Sequence, residues 1–181
     1  MKNVTVIGGS GFLGNEVAKE LMKRDFKVKI FDKKKPSFSF KNSVYIQGDI
    51  LDTKKLEAAI KGSSYVYNFA GIADLDYGVH QPIKSVEQNI LATVNMLNFC
   101  NKHKVKRYIY ASTIYVYSEK GGFYRCSKQA AENYIEEYFK KFNLNYTILR
   151  YGSLYGPGAG TNNGLSKIIS NSLKQKKIIY E

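Results

Sequence analysis

The chain has 181 residues, 44% hydrophobic and 24% charged, with three prolines, fifteen glycines and no tryptophan; this is the composition of one ordinary globular domain and excludes disordered and fibrous classes. Two cysteines, Cys100 and Cys126, are too few and too unpatterned for a disulfide framework or a zinc site, so no metal is expected and a reducing, cytoplasmic setting is the default. Twenty-eight Lys and Arg against fifteen Asp and Glu leave a net charge of +13, which calls for an anionic partner (nucleic acid, a membrane surface or a phosphorylated small molecule) or for a solvated lysine-rich surface.

The lysines are spread along the chain, with only Lys33-Lys34-Lys35 as a run. Neither a basic helix nor an aromatic-basic RNA-binding motif accompanies them, so the solvated surface is favoured over nucleic acid. No stretch approaches the roughly 18 to 20 apolar residues that cross a bilayer, and no membrane partner is expected. The start of the chain has the outline of a signal peptide, but glycines at 8, 9, 11 and 14 interrupt its apolar region and mark it as structure.

Val4-Thr5-Val6-Ile7 reads as a first strand that meets Gly8-Gly9-Ser10-Gly11, after which Phe12, Leu13, Val17, Ala18, Leu21 and Met22 recur at helical spacing. Residues 27–31 form a second strand ending at Asp32, and residues 44–46 a third ending near Gly48-Asp49. A short helix over 53–60 leads to a fourth strand over 65–69. Pro82 suits the first turn of a long helix whose Ile83, Val86, Ile90, Val94 and Leu97 make one stripe, with Leu91 and Met96 off it. A fifth strand over 107–111, a helix over 124–142 and a sixth strand over 146–149 follow. This alternation specifies a doubly wound α/β fold, a parallel sheet covered on both faces.

Gly8-x-x-Gly11-x-x-Gly14 lies between the first strand and the first helix, where a backbone without Cβ atoms lets a diphosphate approach the amides of a helix N-terminus. Taken alone the pattern is weak, and a tight strand-to-helix turn is its alternative reading. Asp32 ends the second strand 18 residues after Gly14, in place to accept hydrogen bonds from an adenosine ribose, so together they indicate a dinucleotide site. Asp32 repels a 2′-phosphate and favours NAD; Lys33 to Lys35 keep NADP open, although a solvated loop is the preferred reading of these lysines.

Tyr124-Arg125-Cys126-Ser127-Lys128 puts a phenol and an ammonium four residues apart on one helix face. In a site screened from water the cation is expected to lower the phenol and let it act as a base; the spacing is equally that of a surface pair. Ala111-Ser112-Thr113 ends the fifth strand and presents hydroxyls at the carboxyl edge of the sheet, where ligands of such folds bind. For Ser112 a strand-end cap remains open.

With these motifs the chain resembles the extended short-chain dehydrogenase/reductases of the NAD-dependent epimerase/dehydratase family, the group of the nucleotide-sugar 4-epimerases. The likeness rests on residues 8–14, Asp32, Gly48-Asp49-Ile50, Asn68-Phe69-Ala70-Gly71, Asn89, Ser112-Thr113 with Val116-Tyr117, Tyr124-x-x-x-Lys128, and Leu149-Arg150-Tyr151 leading to Leu154-Tyr155-Gly156-Pro157-Gly158. It implies a Rossmann-type NAD domain over 1–163, with 164–181 opening a smaller substrate domain that is largely missing. It further implies that Gly8, Gly11, Phe12, Leu13 and Gly14 hold the diphosphate and Asp49 and Ile50 contact adenine. Ala70 and Gly71 would flank the cofactor, Lys128 would hold the nicotinamide ribose, and Thr113 would stand with Tyr124 as the catalytic pair. The implied reaction is epimerisation of a nucleotide sugar through a transient ketone, in a homodimer formed by helices 83–101 and 124–142.

Three departures qualify this. Thr113 is followed by Ile114-Tyr115, where family dehydratases and decarboxylases carry a carboxylate, which demotes those reactions. Only ten residues separate Thr113 from Tyr124, a shorter loop than extended members carry. The chain also stops at Ile178-Ile179-Tyr180-Glu181, within what reads as a new strand. A reductase of a keto-sugar or other carbonyl using NAD(P)H is the runner-up, and a non-catalytic dinucleotide-sensing or RNA-associated module the third reading.

Overall fold

The computed structural model describes residues 2–38, 41, 43–156, 158–159 and 164–176; Pro157 and the strand expected from Ile178 onward lie outside them. Six strands, β1 (Asn3–Ile7), β2 (Lys27–Asp32), β3 (Ser43–Gln47), β4 (Tyr65–Asn68), β5 (Arg107–Thr113) and β6 (Tyr146–Tyr151), form one sheet in the order β3-β2-β1-β4-β5-β6. The pairs around β1 are parallel and in register, so Ile7 lies beside Phe31 on one side and Asn68 on the other. The order reverses at β1 and β4, and the crevice beyond their carboxyl ends is where such sheets bind ligands.

Alternating side chains build a core on each face. Val4, Val6, Val28 and Ile30 pack against Ala18, Leu21 and Met22 of α1 (Phe12–Lys23). Phe31, Val66, Tyr108 and Tyr110 pack against Leu56 of α2 (Thr53–Ile60), Met96 and Leu97 of α5 (Ala92–Lys102), and Ile135 of α6 (Gly122–Phe142). Full burial of each such apolar side chain stabilises the fold by roughly 1.5–3 kcal/mol. The doubly wound α/β architecture is the expected one.

The region after β4 departs from the expectation of one long helix. α3 (Leu75–His80), capped by Asp74 accepting from Tyr77 N at 2.9 Å, packs on α6. α4 (Pro82–Ser85) then runs through a π-helical segment, Val86–Leu91, into α5. The extra residue in a π turn rotates the helix face, so Ile83, Val86 and Leu91 are exposed while Met96, off the expected stripe, is fully buried. β5 and β6 also run past their expected ends, which makes Ser112 and Thr113 buried strand residues.

Residues 1–150 and 151–181 form two compact units. In the second, α7 (Gly164–Gln175) carries Leu165, Ile169 and Leu173 at helical spacing, all exposed.

Candidate active site

The glycine turn is built by close approach. A Cβ on Gly14 would fall 2.3 Å from the Gly8 carbonyl oxygen, and Gly8 itself, at φ +75°, lies so near β4 that a Cβ would meet the Ala70 nitrogen at 2.6 Å. α1 starts after Gly11 with neither a side-chain cap nor an acid in its first turn. Its amino end therefore keeps unpaired N–H groups and the positive end of the helix dipole for an anion. Phe12 and Leu13 are half-buried in that first turn.

A cleft of about 260 Å³ opens there, lined among others by Gly8, Gly11, Asp32, Ile50, Ala70 and Gly71. Asp32 Oδ2 accepts from Ser10 N at 3.0 Å and Oδ1 from Lys34 N at 2.9 Å, which ties the carboxylate to the glycine turn. Ser10 Oγ donates to the Lys34 carbonyl at 2.6 Å. Lys33 to Lys35 are exposed, as expected of the run, and Lys33 Nζ pairs with Asp49 Oδ2 at 2.9 Å. Burial raises Asp49, but the Leu51 amide and Lys33 outweigh it and hold the carboxyl below its ordinary range. Glycines without room for a Cβ, free amides at a helix start and a carboxylate at the end of β2 fit the diphosphate and ribose of a dinucleotide.

On the far side of the crevice, Asn68 donates to the Tyr108 hydroxyl at 2.8 Å and accepts from Ala70 N at 3.0 Å, which sets the course of Ala70-Gly71. Asn89, turned inward by the π segment, clamps Ile72 through both backbone groups at 2.8 and 2.9 Å and donates to Ser127 Oγ at 2.8 Å. Ser127 Oγ in turn donates to the Tyr124 carbonyl at 2.8 Å. One side chain thus links the cleft wall to the helix that bears Tyr124.

Thr113, Tyr124 and Lys128 come together at the carboxyl end of β5. Burial raises the Tyr124 phenol above its ordinary value, a hydrogen bond from Thr113 works against this, and Tyr115 adds to the rise; the Tyr115 ring stands edge-on to Tyr124 at 6.4 Å. The expectation that Lys128 lowers Tyr124 is thereby corrected. The ammonium is engaged elsewhere: Nζ donates to the Ala111 carbonyl at 2.8 Å, over the Tyr110 ring at 4.6 Å, and is 5.8 Å from the Tyr124 ring centre. Burial pulls Lys128 down to about 8 despite the nearby Glu132 carboxylate, which raises it.

Ser112 is neither a free donor nor a simple cap, since its hydroxyl donates to buried Glu132. Glu132 also pairs with Arg150, Nη2 to Oε2 at 2.7 Å. The sequence reading missed Glu132; its one signal was the four-residue step beyond Lys128, which places it on the same side of α6.

The family profile described as NAD dependent epimerase/dehydratase matches residues 4–180. A dTDP-D-glucose 4,6-dehydratase of Dictyostelium discoideum is 28% identical over 98% of this chain and 49% of its own length; the chain spans about half the length of that relative. Among solved structures, the UDP-N-acetylglucosamine 4-epimerase from Methanobrevibacter ruminantium, in complex with UDP-N-acetylmuramic acid, superposes with a TM-score of 0.87 at 26% identity, over 97% of this chain and 64% of that one. The UDP-glucose 4-epimerase of Thermus thermophilus in complex with NAD gives 0.84 at 26%, over 98% and 64%. The resemblance read from the motifs is thus borne out: the chain belongs to the NAD-dependent epimerase/dehydratase family, whose cofactor is NAD.

Proposed function

We propose that the intact protein epimerises a nucleotide sugar through a transient ketone, and that this chain is its NAD-binding and catalytic part. The observation that carries the reading is the meeting of Thr113, Tyr124 and Lys128 at the sheet edge that also holds the glycine turn and Asp32. Gly8, Gly11, Phe12, Leu13 and Gly14 would hold the diphosphate, Asp32 the adenosine ribose, Asp49 and Ile50 the adenine, with Ala70 and Gly71 alongside. When bound, NAD supplies a hydride acceptor and a positive ring charge. Tyr124 takes the proton of the sugar hydroxyl, Thr113 hydrogen-bonds the same oxygen and the Tyr124 phenolate, and Lys128 holds the second ribose. Ile114 and Tyr115 give the site no carboxyl group after Thr113, which supports epimerisation over dehydration.

A second reading has its own support. Burial keeps the Tyr124 phenol in its protonated form, the form that a reductase needs when it protonates a ketone. Full-length protein incubated with UDP-glucose decides between them: interconversion with the 4-epimer without added NADH is expected, and stoichiometric NADH consumption on a keto-sugar would replace this reading by the reductase.

The relatives' greater length supports residues 1–163 as the cofactor domain and 164–181 as the opening of a substrate domain, to which the exposed stripe of α7 belongs. We also propose a homodimer through residues 83–101 and 124–142. Ile83, Val86 and Leu91 on the first, and Tyr134 and Phe142 on the second, are exposed apolar side chains. A light-scattering mass of a monomer at micromolar concentration would remove the dimer. The proposed setting is the reducing cytoplasm, supported by two free cysteines, Cys100 buried and Cys126 exposed. Among the described residues no helix is long and apolar enough to cross a membrane.

A further inference from the structure

α6 carries two neighbouring stripes of polar side chains. Tyr124 and Lys128 form one, while Arg125, Gln129 and Glu132, four and three residues apart, form the other. The second stripe is directed at the segment that carries Thr113. Arg125 Nη1 donates to the Ser118 carbonyl at 2.7 Å and Gln129 Nε2 to the Val116 carbonyl at 2.9 Å. Glu132 accepts the Ser112 hydroxyl and is gripped by Arg150, Nη2 at 2.7 Å from Oε2 and Nε at 3.2 Å from both oxygens. Arg150 also donates to the Tyr117 hydroxyl, and its guanidinium lies 4.8 Å from the centre of that ring. Ser112 precedes Thr113 and Tyr117 follows it, so the ion pair holds Thr113 from both sides.

The held segment is only partly packed. The 3₁₀ turn Ile114–Tyr117 contains no fully buried residue and packs through the Tyr115 ring, edge-on to Tyr124, and a backbone with few buried apolar contacts opens easily. For stability alone the ion pair is a poor choice, because desolvating a carboxylate and a guanidinium costs about as much as their attraction returns, and well-packed apolar residues often do as well or better. What an apolar pair lacks is direction: it cannot fix a hydroxyl on one side and a phenol on the other.

We propose that Glu132 is a positioning residue: paired with Arg150 and seconded by Gln129 and Arg125, it sets where the Thr113 hydroxyl stands relative to the Tyr124 phenol on the same helix. This rests on reading Thr113 and Tyr124 as the reacting pair. The benefit is geometric, since a misplacement of about 1 Å in a reacting group costs on the order of 100-fold in rate.

The test uses full-length protein with NAD, as Glu132→Gln and as the double variant Glu132→Met/Arg150→Met, which leaves no unpaired buried charge and keeps the question open to measurement should the single variant not fold. Amides 113–118 are expected to exchange hydrogen at least about tenfold faster in the double variant, with amides 4–14 unchanged. With UDP-glucose, kcat should fall about 100-fold while KM stays within about threefold, the mark of an interaction needed only in the transition state. Unchanged exchange at 113–118, a rise spread evenly over the domain, or local loosening with kcat retained would each overturn the proposal. A parent protein that turns over no nucleotide sugar overturns the proposed function instead, and the exchange pattern still decides the brace.

Discussion

The two halves of the crevice are made differently. The half proposed to hold adenosine is mostly backbone: a glycine turn, free helix amides and Asp32, whose carboxylate is tied to the Ser10 and Lys34 amides. The reacting half is made of side chains from β5, α6 and β6, among them two charged groups, Lys128 and Glu132, each only 6% exposed. A backbone cradle tolerates substitution at its exposed polar rim but not an added Cβ in its turn. A buried charged cluster is sensitive to every charge and hydroxyl in it, because the low dielectric magnifies each interaction.

The largest effect that would break this contrast is chemical. Tyr124→Phe in the full-length protein should lower the kcat of the proposed reaction by about 100- to 10,000-fold, the usual share of a general acid or base, with NAD affinity nearly unchanged by isothermal titration. Retained turnover would move the proton transfer to another group.

Next is the cost of the buried ammonium. Lys128 has an ordinary value of 10.5 and is held at about 8 in the fold. Between those two pH values the unfolded chain keeps a proton that the folded protein has shed, so stability rises with pH through that window, and the penalty is fully present below about pH 8. Lys128→Met should therefore raise stability at pH 7 by roughly 2–3 kcal/mol, a gain that fades toward pH 10.5 in urea titrations without NAD, while turnover is lost. A variant less stable than its parent at pH 7 would show that the Ala111 carbonyl and the Tyr110 ring compensate the charge in full.

The adenosine half answers to sterics. Gly14→Ala places a methyl against the Gly8 carbonyl and should destabilise by about 1–3 kcal/mol, as overpacking does; calorimetry should show NAD binding weakened as the turn shifts. The smallest effect belongs to Lys33→Ala at the rim. The pair with Asp49 is exposed on both sides, so stability should change by less than about 1 kcal/mol; a larger loss would mean that charge pairing is as important at the adenosine end as around Glu132.

The legibility of the sequence follows the same division. The glycine turn, Asp32, Tyr124 with Lys128, and the strand–helix alternation announce themselves by local spacing, because each depends on neighbours within one or two turns of chain. The helix after Pro82 misleads, since a single-residue π insertion leaves composition unchanged yet turns Asn89 inward and Val86 outward. The ion pair of exposed Lys33 is not visible in the sequence, because its partner, Asp49, lies beyond the end of another strand.

By itself the sequence determined the α/β class, the glycine turn and the family, because these rest on short-range backbone geometry and hydrophobic period. Only the tertiary structure decided the electrostatics of the reacting half: that burial lifts Tyr124, that Lys128 turns to the Ala111 carbonyl, and that Glu132 joins Ser112 to Arg150. Those outcomes depend on which charges are brought within a few ångströms of one another and how far water is kept away, and neither quantity is encoded in any one stretch of chain.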